Sequence, residues 1–272
     1  MTTIIDRDKK STICAEVMDD LAQGLRLTKF SWVLSKFKLR NQYRGSILGP
    51  FWITISSAVF FIGLGFVYSR LWKINIFEYL PWLMAGFSTW IFISHVVSES
   101  CNTFIAAEAM LKRKKIPLSA ISFQHTFSEA LFFLHLLPIL ILVIPLSTIT
   151  DLTNFLWLIA SLLFFAVNIF CLSVTLGFFC ARFRDIQQII GTVMQLSFFM
   201  TPIIWTPDLL GAYEYLVYLN PFTSFIELIR APLLGLAIDG RAFLVVSFIT
   251  FINFLAYTIL IGLFRSRVVF WL

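Results

Sequence analysis

Four side chains stand out by type and spacing. His95 and Glu99 are four residues apart, and so are His125 and Glu129. On a helix, that spacing puts each pair on one face. All four lie in or beside strongly apolar segments, where ionisable residues are functional candidates by default. As a functional set they would make a proton or ion relay. As a structural set they would bond between helices or reach a wet interface, and the pattern favours this reading. Two histidines without a third ligand make no zinc centre, so no metal is expected.

Other chemistry is missing from the chain. There is no GxxxxGK[ST] phosphate loop, so nucleotide hydrolysis by that route is excluded. HExxH and Gly-x-Ser-x-Gly are absent as well. Cys14, Cys101, Cys171 and Cys180 lack metal-type spacing. Three of them sit in or beside apolar runs and read as small packing residues. No catalytic residue is expected.

The elements that must position these residues are membrane helices. The 272-residue chain is 59% hydrophobic and only 13% charged, with a mean hydropathy of +0.87. A soluble domain is about half apolar and about one quarter charged. Such a chain could not cover its own surface, and lipid is its natural solvent. The 31 Phe, 8 Trp and 7 Tyr are accounted for by lipid contact and helix packing before any ligand is invoked. A net charge of +6 would suggest nucleic acid in a soluble protein. Here Lys and Arg mark the loops kept inside, and no nucleic-acid partner is expected.

A span needs about 20 predominantly apolar residues. Six are expected: Leu48–Tyr68, Tyr79–Ile105, Ile121–Ser147, Phe155–Ala181, Ile186–Trp205 and Phe243–Phe264. With both termini in the cytoplasm, seventeen of the 21 Lys and Arg fall on that side. Arg70, Lys73, Arg230 and Arg241 fall on the other.

Four segments outside the spans carry further expectations. Met1–Asp20 reads as a polar cytoplasmic tail with no signal-peptide core. Residues 21–47 read as an amphipathic interface helix. On it Leu27, Phe30, Leu34 and Phe37 share an apolar stripe beside Arg26, Lys29, Lys36 and Arg40. Glu108–Pro117, a short charged helix between two spans, offers a partner something to grip. From Thr206 to Gly235 the chain is too polar for a full span and too apolar for an ordinary loop. It reads as short helices dipping into the outer interface.

Several stretches resemble one family. Arg40–Trp52 (RNQYRGSILGPFW) is similar to the entry into the first span of ABC-2-type polysaccharide export permeases. Lys115–Leu118 resembles the family's segment after its coupling helix. Arg184–Asp185–Ile186 with Phe199–Trp205 resembles its fifth span. Asn220–Pro221, Arg230 and Leu233–Gly235 resemble its outer re-entrant region. The matches fall in the family's order, with O-antigen export permeases the most similar members. The resemblance implies an all-α integral membrane fold: six transmembrane helices, an N-terminal interface helix, a cytoplasmic coupling helix and short outer gate helices. It implies a homodimer in the bacterial inner membrane, joined to two ABC ATPase subunits that hold the ATP and Mg. No cofactor is implied on this chain. The implied cargo is an undecaprenyl-diphosphate-linked polysaccharide.

Site residues follow from that cargo. Aromatic rings give stiff amphipathic surfaces along which many sugar units can slide. Phe51, Trp52, Phe60, Trp90, Phe198, Phe199 and Trp205 are the candidate lining residues. Arg40 and Arg44, at the inner surface, are candidates for a lipid diphosphate, although positive-inside topology explains them equally. ATPase contact is expected at Ala107, Glu108, Met110, Leu111, Lys112 and Arg113. Two other readings stay open: an ABC-2 permease for a drug or small lipid, and a membrane enzyme acting on a lipid-linked sugar through His95, His125 or Glu129.

Overall fold

The computed structural model describes residues 2–143 and 152–272. All regular structure among them is helical: α1 (Thr2–Arg26), α2 (Thr28–Gln42), α3 (Phe51–Trp72), α4 (Ile76–Ala106), α5 (Glu108–Arg113), α6 (Leu118–Val143), α7 (Leu152–Arg182), α8 (Ile186–Met200), a 3-10 segment (Pro207–Leu219), α9 (Pro221–Leu234), α10 (Gly240–Phe264) and α11 (Val268–Trp271). Among these, α3, α4, α6, α7 and α10 are long and apolar enough to cross a membrane. They overlap five of the expected spans. Residues 144–147, the expected end of the third span, lie outside the described residues.

Local chemistry sets the helix ends. Gly45 and Gly49 take positive φ in the turn before α3, a conformation that favours glycine. Asn75, Asn220 and Asp239 accept hydrogen bonds from backbone N–H groups two residues on and so cap α4, α9 and α10. Pro221 stands at the first helical position of α9, and Gly235 ends it at φ 70°.

The expected fifth span is shorter than its apolar run. Thr201 is extended because Pro202 follows it, and α8 stops at Met200. Its 15 residues reach about 22 Å at about 1.5 Å per residue, less than the ~30 Å hydrocarbon core. The chain nonetheless continues along the bundle. The Tyr79 hydroxyl, in the first turn of α4, donates to the Ile204 carbonyl at 2.7 Å.

The N-terminal region also differs from the expected tail and interface helix. Residues 2–26 are helical, and the break falls at Leu27 rather than at Asp20. Leu27 N–H bonds back to the Gly24 carbonyl at 3.0 Å, a tightened turn. Gly24 is pressed against Ser119: a Cβ built there would lie 2.1 Å from the Ser119 Oγ. On α2 the buried residues are Ser31 and Ser35. The Ser31 hydroxyl donates to the Ala120 carbonyl at 2.7 Å. Small serines thus dock α2 on α6, while Phe30 and Phe37 of the apolar stripe face outward. Residues 43–47 follow α2 as turns and bends.

One end of the bundle gathers the basic segments. Arg265, just past α10, pairs with Asp20 at 3.1 Å and Asp19 at 3.4 Å. Trp271 packs on Phe178 and beneath the Arg182 guanidinium. Leu111 of α5 shares an apolar cluster with Val17, Ala181 and Val268. At the opposite end Tyr68, Trp72 and Tyr79 form a ring chain, and Trp157 meets Phe243.

Candidate functional site

The aromatic residues sort into two places. Trp90 of α4 is buried, with its ring 5.8 Å from Phe198 and 5.5 Å from Phe222. Phe198 also touches Phe87 and Phe199, each at 5.3 Å. Phe60 of α3 joins this group through Phe87, at 5.3 Å. The Trp205 ring N–H reaches back to the Phe199 carbonyl at 3.4 Å. Phe51 and Trp52 lie apart, exposed in the first turn of α3. There the Phe51 ring meets His135 edge-on, and the Thr54 hydroxyl donates to the His135 carbonyl.

Between α4, α6 and α8 lies a groove of about 600 Å³, open on one side. Trp90, Phe198 and Phe199 line it, together with Phe87, Phe132 and the polar Ser94, His95, Ser98 and Gln195. Sequence reasoning missed this second set, although a signal existed. Positions 87, 91, 94 and 98 form one stripe of α4, and 191, 194, 195 and 198 form one of α8. Flat rings beside hydroxyl and amide groups suit a ligand with apolar faces and many hydroxyls.

The basic end has its own geometry. Asp20 is fully buried, and its carboxylate accepts from the N–H groups of Leu118 and Ser119, at 3.1 and 2.9 Å. It therefore caps α6 from 98 residues away. The Ser119 hydroxyl returns a bond to the Asp20 carbonyl at 2.5 Å. Asp19, exposed beside it, is held below the usual carboxylate range by its bond from Gln23, with help from Arg265. This clasp fixes where α5 leaves the bundle. Ala107 and Leu111 are buried and Met110 is half-buried. Lys112 and Arg113 are exposed, and Lys112 pairs with Glu108 at 2.7 Å. One side of α5 is anchored, and a cationic side is presented. Arg40 and Arg44 are exposed at the end of α2 and in the turn after it.

At the opposite end, α9 is largely buried. Arg230 stacks on Trp82, with 3.9 Å from the guanidinium carbon to the ring, and donates to the Pro202 carbonyl at 2.8 Å. A Cβ at Gly86 would fall 2.9 Å from the guanidinium, so glycine is what admits it. Burial pulls Arg230 down to about 10, which leaves it charged at neutral pH. A buried cation held by a ring face and a carbonyl ties α9 to α4 and to the stretch after α8.

Of the two i, i+4 pairs, His125 stays beside Glu129 at 3.8 Å, whereas His95 and Glu99 find partners on other helices. His95 bonds Glu129 at 2.7 Å, and Glu99 bonds Lys38 of α2 at 2.6 Å. Among the described residues no cluster of three or more His, Cys, Asp or Glu could hold a metal.

Comparison with known proteins agrees with this architecture. The chain is 24% identical over 199 residues to two O-antigen export system permease proteins (RfbA) of Klebsiella pneumoniae. That covers 71% of this chain and 76% of each relative. A third such permease, from Myxococcus xanthus, is 22% identical over 204 residues, with the same shares covered. The ABC-2 type transporter family model matches residues 30–234, from α2 through α9. This match takes in the groove, the α5 surface and the Arg230 anchor, and the chain belongs to the ABC-2 type transporter family.

Proposed function

We propose that this chain is the channel-forming permease of an exporter. It carries undecaprenyl-diphosphate-linked, O-antigen-type polysaccharide outward across the bacterial inner membrane, driven by a separate ATPase. The observation that carries the reading is the open aromatic groove between α4, α6 and α8, in a chain similar to O-antigen export permeases. Repeated weak contacts from rings and hydroxyls suit a cargo that must keep moving. Two copies face each other, each closing the open side of the other's groove. The exposed apolar faces of α3 and α8 supply the surface for this.

Six crossings complete the topology, with α8 and residues 201–205 together making the fifth. Support comes from the ends. The Asp20–Arg265 pair joins α1 to the end of α10, which supports an even number of crossings between them. That end carries most of the Lys and Arg and is the cytoplasmic one. There α2 rests on the inner leaflet, apolar stripe down, with Arg40 and Arg44 near the lipid diphosphate. The cationic side of α5 receives the ATPase, which holds ATP and Mg. The 3-10 segment and α9 close the outer mouth.

The test is complementation in a strain lacking its own O-antigen export permease. Expressed with its cognate ATPase, this chain restores surface polysaccharide, whereas expressed without the ATPase it does not. An assembled complex that leaves the lipid-linked glycan inside would overturn the reading.

A further inference from the structure

Three ionisable side chains inside the bundle, one of them at the edge of the aromatic groove, are given no role in proton chemistry by the export reading. His95 on α4 turns its Nδ1 toward Oε2 of Glu129 on α6, 2.7 Å away. Glu129 is fully buried, and its Oε1 has no hydrogen-bond partner. His125 Nδ1 stands 3.8 Å from that oxygen. His125 is itself buried, with its Nε2 3.1 Å from the Ser100 Oγ of α4.

The trio sits between two cavities. The His95 ring lies flat on Phe132, 3.8 Å between centroids, and borders the aromatic groove. His125 borders a second cavity, of about 300 Å³, between α2, α4 and α6. Lys38 and Glu99 also line that cavity, and they neutralise each other at 2.6 Å. Three helices packed against α4 or α6 bring no competing charge there. There is no Asp, Glu, Lys, Arg or His in 51–69 of α3, 152–181 of α7 or 186–200 of α8.

A buried carboxylate left alone is costly. One proton held between His95 and Glu129 makes the pair neutral, whichever atom carries it. The unused Oε1 faces a second imidazole that can also accept a proton.

We propose that His95, Glu129 and His125 form a proton-binding site with two positions. The first proton stays between His95 and Glu129. The second is taken by His125 from water in the cavity beside Lys38, and its new N–H bonds the unused Oε1 once the carboxylate moves closer. The carboxylate then bridges two imidazolium rings, and the trio gains one positive charge. His95–Glu129 and Ser100–His125 both join α4 to α6, the helices on either side of α5. Proton loading therefore shifts a carboxylate shared by the two helices that hold α5. This holds whatever cargo the groove carries.

The chain has only three histidines, so ring-nitrogen NMR of ¹⁵N-histidine-labelled protein in lipid nanodiscs resolves each one. Acidification from about pH 8 to about pH 4 covers the range where an exposed or a fully buried histidine changes charge. Over it His125 takes up a proton, and Glu129→Gln weakens proton binding at both His95 and His125 at least about tenfold. His135, bonded to its own helix through the Leu131 carbonyl, serves as the unaffected reference. His95→Gln, which frees the carboxylate for His125, strengthens proton binding there by about tenfold. The proposal is overturned if Glu129→Gln and His95→Gln both leave proton binding at His125 within about twofold of the native chain, or if His125 never takes up a proton over this range.

Discussion

Replacing Asp20 with Ala leaves two buried N–H groups at the start of α6 unpaired and strips Arg265 of its closest partner. The expected loss is about 3 kcal/mol. Asp20→Asn keeps an acceptor and loses less. Unfolding in detergent, followed by helical circular dichroism, separates the two. Arg230 makes a similar demand at the other end. Arg230→Ala removes the Trp82 stack and the bond to Pro202, for about 2–4 kcal/mol in the same assay. Arg230→Lys does not restore it, because an ammonium lacks the flat face. Neither role was legible in the sequence, since Asp20 finds its partners 98 and 99 positions away. Spacing was informative only within a helix. It put His95 with Glu99 and His125 with Glu129 on shared faces, but which faces meet was decided by packing. Packing paired His95 with Glu129 and gave Glu99 to Lys38.

At the scale of elements, hydropathy located five long helices. Two elements resisted. α8 is shorter than its apolar run because Pro202 acts on the residue before it, a local effect that average hydropathy smooths away. α1 carries mixed polarity without a clear stripe, and the helices it packs on, α6 and α10, lie far along the chain. Its close approach to α6 depends on Gly24. Gly24→Ala puts a methyl into Ser119 and costs about 1–3 kcal/mol. Ser119→Gly removes the obstructing side chain, so adding it to Gly24→Ala recovers part of that loss. A double-mutant cycle on thermal unfolding in detergent reads the coupling, and additive losses would argue against the close contact. The groove was half visible: Trp90, Phe198 and Phe199 were singled out by type. Phe87 and Phe132 needed the helix pairing, and Phe51 and Trp52 were drawn in by chemistry although their positions lie elsewhere.

For the whole molecule, the contact between α1 and the end of α10 supports the six crossings proposed above. In a chain with Cys14, Cys101, Cys171 and Cys180 replaced by Ala, a cysteine at Lys73 should react with a membrane-impermeant maleimide in intact cells. One at Lys115 should react only after permeabilisation. The reverse pattern would invert the orientation, and labelling of both in intact cells would contradict a crossing by α4. The groove makes a further demand. Trp90→Ala and Phe198→Ala remove neighbouring rings from one wall, and both should slow export while leaving assembly with the ATPase intact. The most direct measurement is glycan movement in vesicles that hold this chain and its ATPase. Undecaprenyl-diphosphate-linked polysaccharide is supplied on the face that carries the ATPase, and a lectin reports its arrival on the other. The account predicts ATP-dependent arrival that Trp90→Ala slows. Arrival without ATP, or ATP-driven movement of small lipids with none of the glycan, would contradict it.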